Sequence, residues 1–379
     1  MPFYEIRSLV TFDLPIDAQI KTIFIFILFL TIYQHFVLTL NMNETIVLIN
    51  TEPAFIKIGK YIMIIAFPFF TYRLLIEAMY IFQNGYISLY IGGLDRGNYN
   101  IIIRMSSYVF SVGYACLLCG IPKERDFKLY SGIYFFTVLL DTLKGSRGGF
   151  VVFILFYLWY NRNIYKKTLK TMVLIILATI VMFFSQIIVS LRGDSEFFLG
   201  GIFESILGFI YSQGQSIIVP ALYICNKEAL SENLYPYILS PILYLYDVII
   251  NPGILTLGQS LELIQMRYDL SHNLTYYLNS GYYLGGMSIG NNFLAELYEF
   301  GMPGIICGAV IVAVAIKIIN KKVGSNRIWL YFSYPLVSHI IYMPRGSFFY
   351  NTYSLGRNFI AFLFIYIVAN LISKKTPNK

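Results

Sequence analysis

The chain has 379 residues, of which 57% are hydrophobic and 13% charged, against about 45–50% apolar and about 25% charged in an ordinary soluble domain. Its apolar residues run in blocks long enough to cross about 30 Å of hydrocarbon, which excludes a water-soluble monomer and predicts an all-α, polytopic transmembrane bundle. The 33 Tyr and 32 Phe would suit an outer-membrane barrel, but barrel strands alternate over about ten residues and these runs do not. The net charge of +8 sits mainly in short loops, as membrane orientation requires, so no nucleic-acid partner is expected.

In chain order, the residues ahead of the first apolar run carry Glu5, Asp13, Pro15 and Asp17. They lack the basic start and cleavage site of a signal peptide, so the first span is expected to stay attached. Spans are predicted near 20–40, 57–82, 101–120, 129–144, 147–160, 169–191, 201–224, 235–251, 292–318, 328–343 and 354–373, about eleven in all within a range of roughly ten to twelve. Arg73 and Glu77 stand one turn apart inside the second span. Gln83 to Gly93 is too short to cross and reads as re-entrant or interfacial. Cys116-Leu-Leu-Cys119 falls in an apolar stretch and reads as a pair of small packing residues. Gln213-Gly-Gln215 interrupts a later span. With no fixed-period repeat or soluble segment, residues 1–379 read as one integral membrane domain.

Three basic clusters orient the chain: Arg162/Lys166/Lys167/Lys170, Lys317/Lys321/Lys322/Arg327 and Lys374/Lys375/Lys379. The positive-inside rule puts them, and with them the C-terminus, in the cytoplasm. Alternation then groups 144–148, the segment after 191, 252–291 and 344–353 on the external side. The stretch 252–291 is about forty residues long, far above the usual connection, which marks it as functional.

Chemistry gathers on that side. Arg147-Gly148, Arg192-Gly193 and Arg345-Gly346 stand at span edges, where the positive-inside bias disfavours arginine unless an anion is held. A guanidinium fork matches phosphate oxygens, and adjacent glycines let backbone N–H groups approach. Arg96-Gly97 lies where the topology is ambiguous. The long stretch carries Arg267-Tyr268-Asp269 and then His272. His272 is the first candidate general base, because His35 and His339 lie in apolar runs without an evident polar companion. Asp269 and Glu296 stand behind it, Glu296 entering a span where capping alone would also explain it. Tyr276, Tyr277, Tyr282 and Tyr283 suit sugar faces or an interfacial aromatic belt. Neither metal-ligand spacing nor a nucleotide-binding loop occurs, so no metal or other cofactor is expected.

Gly145-Ser-Arg147-Gly-Gly, Arg192-Gly193, the long loop and the block Gly-Gly-Met-Ser-Ile-Gly-Asn-Asn-Phe-Leu-Ala-Glu-Leu-Tyr-Glu-Phe-Gly-Met-Pro-Gly at 285–304 resemble the bacterial O-antigen and capsule repeat-unit polymerases of Wzy type, relatives of the O-antigen ligases. The resemblance covers roughly 140–350. It implies a GT-C-like, metal-independent glycosyltransferase of the bacterial inner membrane that joins undecaprenyl-diphosphate-linked oligosaccharides, and a chain-length regulator protein is a further implied partner. Arg147, Arg192, Arg345 and Arg267 would then hold the diphosphate. Ligase relatives commonly carry His-Asn where Asn291-Asn292 stands here, which favours polymerase over ligase. A lipid-linked oligosaccharide transporter is a second alternative, favoured by Arg73/Glu77 and the Gln213 interruption and opposed by the external arginines.

Overall fold

The computed structural model describes residues 14–39, 49–85, 88, 99–144, 148–167, 202–231, 235–250, 259–349 and 352–375, with the backbone alone at 202–215, 231, 374 and 375. Among them the chain is helical and has no strand. The helices are α1 Ile16–Thr39, α2 Pro53–Asn84, α3 Ile101–Cys119, α4 Glu124–Leu143, α5 Gly148–Ile164, α6 Ile202–Ser231 and α7 Ser240–Ile250. There follow the short α8 Leu261–Gln265, α9 Leu270–Leu278, α10 Ser280–Leu284 and α11 Phe293–Leu297, then α12 Gly301–Lys322, α13 Arg327–Tyr342 and α14 Tyr353–Lys375. Five segments, Ile16–Thr39, Pro53–Asn84, Ile101–Cys119, Phe293–Lys322 and Tyr353–Ser373, are long and apolar enough to cross a membrane. The protein is a polytopic helical membrane protein. Each predicted span falls on a helix except 169–191, which lies outside the described residues, as do Arg96-Gly97 and most of the segment 83–93.

Local chemistry explains where the helices begin. Pro53 opens α2 after the extended Glu52, a position where its missing N–H costs nothing. Asn100 and Asn326 cap α3 and α13, their side chains accepting from Ile102 N at 3.1 Å and Ile328 N at 2.9 Å. The core of α2 and α3 rests on small residues. A Cβ on Gly59 would stand 2.5 Å from Leu117 N, and one on Gly113 3.0 Å from Met63 N. Backbones that close suit a membrane, where apolar burial drives helix association little and van der Waals contact does more.

The tyrosines are largely structural in the bundle interior. The Tyr334 hydroxyl donates to that of Tyr134 at 2.8 Å, and Tyr114 and Ser131 hydroxyls meet at 2.9 Å. Tyr160 donates to Leu118 O at 3.1 Å. Each buries a large ring and still satisfies its hydroxyl. Cys116 and Cys119 are also buried, their thiols directed at Phe55 O and Arg327 O.

The helix ends sort into two groups. At one end, Ile49 N bonds Gly324 O, the Arg327 guanidinium donates to Cys119 O and Asn50 O, and the Tyr165 hydroxyl donates to Pro122 O. Trp159 donates to Asn320, and Ala369 of α14 clusters with Ala54. The described parts of all three basic clusters therefore share this end. At the other end, Lys144 reaches Glu77 at 2.6 Å, and a Cβ on Gly148 would stand 2.5 Å from the Tyr342 ring. The described parts of 144–148, 252–291 and 344–353 meet there.

Candidate functional site

The block 285–304 builds the floor of the site. Its glycines are required by geometry: Gly290 and Gly301 adopt φ +83° and +65°, values that L side chains rarely take. Gly301 reverses the chain after the 3-10 turn Tyr298–Phe300, so that α11 folds back along α12. A Cβ on Gly304 would collide with Leu297 O, and one on Gly308 with the Leu297 side chain. Gly308 is seven positions into α12, so Leu297 lies about 10 Å along it at 1.5 Å per residue. The polar residues of α11 are therefore sunk below the end of the bundle.

Glu296 is 1% exposed. Its Oε1 accepts from Asn291 Nδ2 at 2.7 Å. Its Oε2 accepts from Ser347 Oγ at 2.9 Å, Phe348 N at 2.7 Å and Phe349 N at 2.9 Å. Four donors on one carboxylate leave little lone-pair capacity for any other partner. Next to it, Asn292 caps α11 through Leu294 N at 2.9 Å, while its Nδ2 donates to Ser216 O at 2.9 Å and Pro344 O at 3.0 Å. His339 of α13 hydrogen-bonds the backbone of Phe348. The turn Pro344–Phe349, which contains Arg345-Gly346, is thus gripped from three sides. The expectation that His339 lacks a polar companion is corrected, since the chain that follows α13 turns back over it.

Arg345 ends the 3-10 turn Met343–Arg345 with an exposed side chain. Gly148, which follows Arg147, packs on Tyr342 three positions before Arg345. Arg147 itself and Arg192 lie outside the described residues.

His272 is on α9, which Asp269 caps by accepting from Ser271 N at 2.8 Å and His272 N at 3.4 Å. Asp269 Oδ2 is 3.9 Å from His272 Nε2. The Tyr283 hydroxyl is 3.0 Å from Nδ1 and 3.4 Å from Ser260 O. Burial pushes the Tyr283 phenol up, so it stays protonated. It can donate to Ser260 and serve His272 at once only by accepting from Nδ1–H, and that tautomer leaves Nε2 as a free base. The imidazole is 28% exposed, open enough for an acceptor to reach. The link to the block is direct: Ser271 and Ser288 hydroxyls meet at 2.9 Å, and Ile289 N donates to Thr275 Oγ1 at 3.3 Å. His272, the 285–304 block and the Arg345 turn form one hydrogen-bonded framework.

The remaining sequence candidates divide. Tyr277 is exposed and Tyr276 and Tyr282 are half-buried, whereas Tyr283 is 0% exposed and turns its ring edge-on to His272. Tyr283 offers no face to a sugar and instead holds the imidazole. Arg267 is exposed at φ +59°, a turn position whose carbonyl accepts from Tyr235 N at 2.8 Å. Among the described residues no group of three or more His, Cys, Asp or Glu is placed to hold a metal. Sequence reasoning missed Ser347 altogether, read Asn292 only as a departure from the ligase pattern and set His339 aside. Ser347 meets the Glu296 carboxylate about fifty residues away, and Asn292 and His339 meet distant main-chain atoms, pairings that leave no spacing to read.

No curated protein and no solved structure matches the chain. The model of the O-antigen polysaccharide polymerase Wzy family matches residues 16–376, nearly its whole length, and the chain belongs to that family.

Proposed function

We propose that the protein joins undecaprenyl-diphosphate-linked oligosaccharide repeat units into O-antigen or capsular polysaccharide at the external face of the inner membrane. O-antigen polymerisation in the membrane follows from the family. The observation that carries the finer reading is the single framework joining His272, the 285–304 block and the Arg345 turn. The positive-inside rule assigns the end with the three basic clusters, and so the C-terminus, to the cytoplasm, and the framework to the opposite face.

In this reading His272 Nε2 takes the proton of the acceptor hydroxyl as its oxygen attacks the anomeric carbon of the donor glycan. The anomeric C–O bond to the diphosphate breaks, and the lipid diphosphate leaves with the bonding pair. Arg345, with Arg147 and Arg192 as further members, stabilises the charge that develops on that leaving group, where a fixed cation lowers the barrier. Asp269 steadies the imidazolium. Glu296 acts as a positioning residue, because its oxygens are occupied by the turn that presents Arg345. Tyr276, Tyr277 and Tyr282 are assigned to sugar rings, and Arg267 to an anion at the loop surface.

The test is the glycan ladder of a deletion strain complemented with variants. Arg345→Ala and His272→Ala at normal expression should leave single repeats capped on the lipid core. Accumulation of lipid-linked polymer would assign a ligase, and repeat units trapped on the cytoplasmic face a transporter.

A further inference from the structure

Arg357 stands in the second turn of α14, within the segment Tyr353–Ser373 that is apolar enough to cross a membrane. An ionised arginine in such a helix calls for compensation. Arg73, in α2, has it in Glu77 at 2.9 Å. Arg357 makes no ion pair among the described residues. Aromatic rings hold it instead: its guanidinium carbon lies 4.0 Å from the Tyr108 ring centre and 5.8 Å from that of Tyr353. The Tyr108 hydroxyl also donates to Arg357 O at 2.9 Å, tying α3 to α14.

Those contacts fix the guanidinium plane and leave Nε. Nε is buried and has no hydrogen-bond partner among the described residues. A snorkelling arginine would end in water with its donors hydrated; a buried donor on an uncompensated cation is instead a vacancy for an acceptor. The neighbourhood belongs to the site end. The Tyr353 ring centre lies 4.3 Å from that of Tyr244, the planes tilted by 48°, and the Tyr244 ring is 6.5 Å from Tyr268, the residue before the Asp269 cap of the His272 helix. A continuous aromatic line therefore runs from Arg357 to α9.

We propose that Arg357 is a further oxyanion-binding residue of the substrate site, its unpaired Nε–H donating to an oxygen of a lipid-borne phosphate or of an acidic sugar carboxylate. The proposal rests on the polymerase reading and adds a residue to it. Arginine suits the position because its flat faces stack on tyrosine while its edge donates, a combination lysine lacks.

The experiment measures binding to the full chain in lipid nanodiscs with two probes, a polyprenyl diphosphate without glycan and a soluble oligosaccharide containing a uronic acid. Arg357→Gln should weaken one probe by about tenfold or more, the value of a charge-assisted hydrogen bond. A loss confined to the diphosphate names phosphate as the partner, and a loss confined to the oligosaccharide names the carboxylate. Arg357→Lys should not restore affinity, and Tyr108→Phe, which keeps the ring, should stay within about twofold of wild type. Should Arg357→Gln misfold by thermal melting, Arg357→Lys supplies the same comparison. Unchanged affinity for both probes, with Arg345→Ala weakening the diphosphate, overturns the role of Arg357 and leaves the polymerase reading standing. Unchanged affinity in the Arg345 variant as well removes the diphosphate site itself.

Discussion

Glu296→Gln separates a carboxylate that holds the Arg345 turn from one that moves a proton. The substitution keeps a carbonyl oxygen for Ser347, Phe348 and Phe349 but sets an amide nitrogen against Asn291 Nδ2, donor against donor. Asn291 cannot simply turn its amide, because its Oδ1 accepts from Asn292 N at 2.6 Å. Hydrogen bonds to a charged group contribute about 1.5–3 kcal/mol and neutral ones about 0.5–1.5, so three bonds weakened by about 1 kcal/mol each predict a loss of about 3 kcal/mol. Ser347→Ala removes one donor and should cost about 1 kcal/mol. Thermal melting of the purified variants, read beside the length of the polymer they make, gives both quantities. The clamp predicts that melting temperature and chain length fall together, and that Ser347→Ala moves both in the same sense. Wild-type melting with abolished polymer in Glu296→Gln, and no effect of Ser347→Ala, would refute the clamp and return Glu296 to the role of acid or base.

Other outcomes follow from single contacts. His272→Ala should lower turnover about 10²–10⁴-fold, the usual contribution of a positioned base, whereas Tyr283→Phe, which loses the hydrogen bonds to Nδ1 and to Ser260 O, should lower it about tenfold; equal effects, or none, in a steady-state assay would break the proposed tautomer. Glu77 is fully buried between Arg73 at 2.9 Å and Lys144 at 2.6 Å, so Glu77→Gln should destabilise by about 3 kcal/mol, because Arg73 loses its carboxylate while Lys144 keeps Asp141 at 2.7 Å. The double variant Glu77→Gln with Arg73→Gln should recover most of that in a melting experiment. Arg267→Gly relieves a left-handed residue and should stabilise by about 1 kcal/mol; loss of polymer despite the gain would give Arg267 a substrate role.

The membrane architecture was legible because it depends on quantities local to the chain. A helix crosses hydrocarbon when enough consecutive residues are apolar, and basic turns orient it, so ten of the predicted spans fall on described helices without knowledge of any neighbour. The same counting grouped 144–148, 252–291 and 344–353 on one side, and their described parts lie toward one end of the bundle.

What the side chains do at that end was decided by tertiary contacts. The sequence marks Glu296 as a carboxylate near a helix start. Only the return of Ser347, Phe348 and Phe349 onto its oxygens, some fifty residues later in the chain, makes it a clamp. Tyr283 reads as one more loop tyrosine until α10 folds its ring under His272, and His339 reads as apolar-run filler until the chain doubles back over it. Arg357 carries no motif, and its interest arises from its packing: two aromatic rings and, among the described residues, no carboxylate. Hydropathy follows from composition along a line, whereas hydrogen-bond capacity, once buried, is filled by whatever the fold brings near, and that pairing is written in no single stretch of sequence.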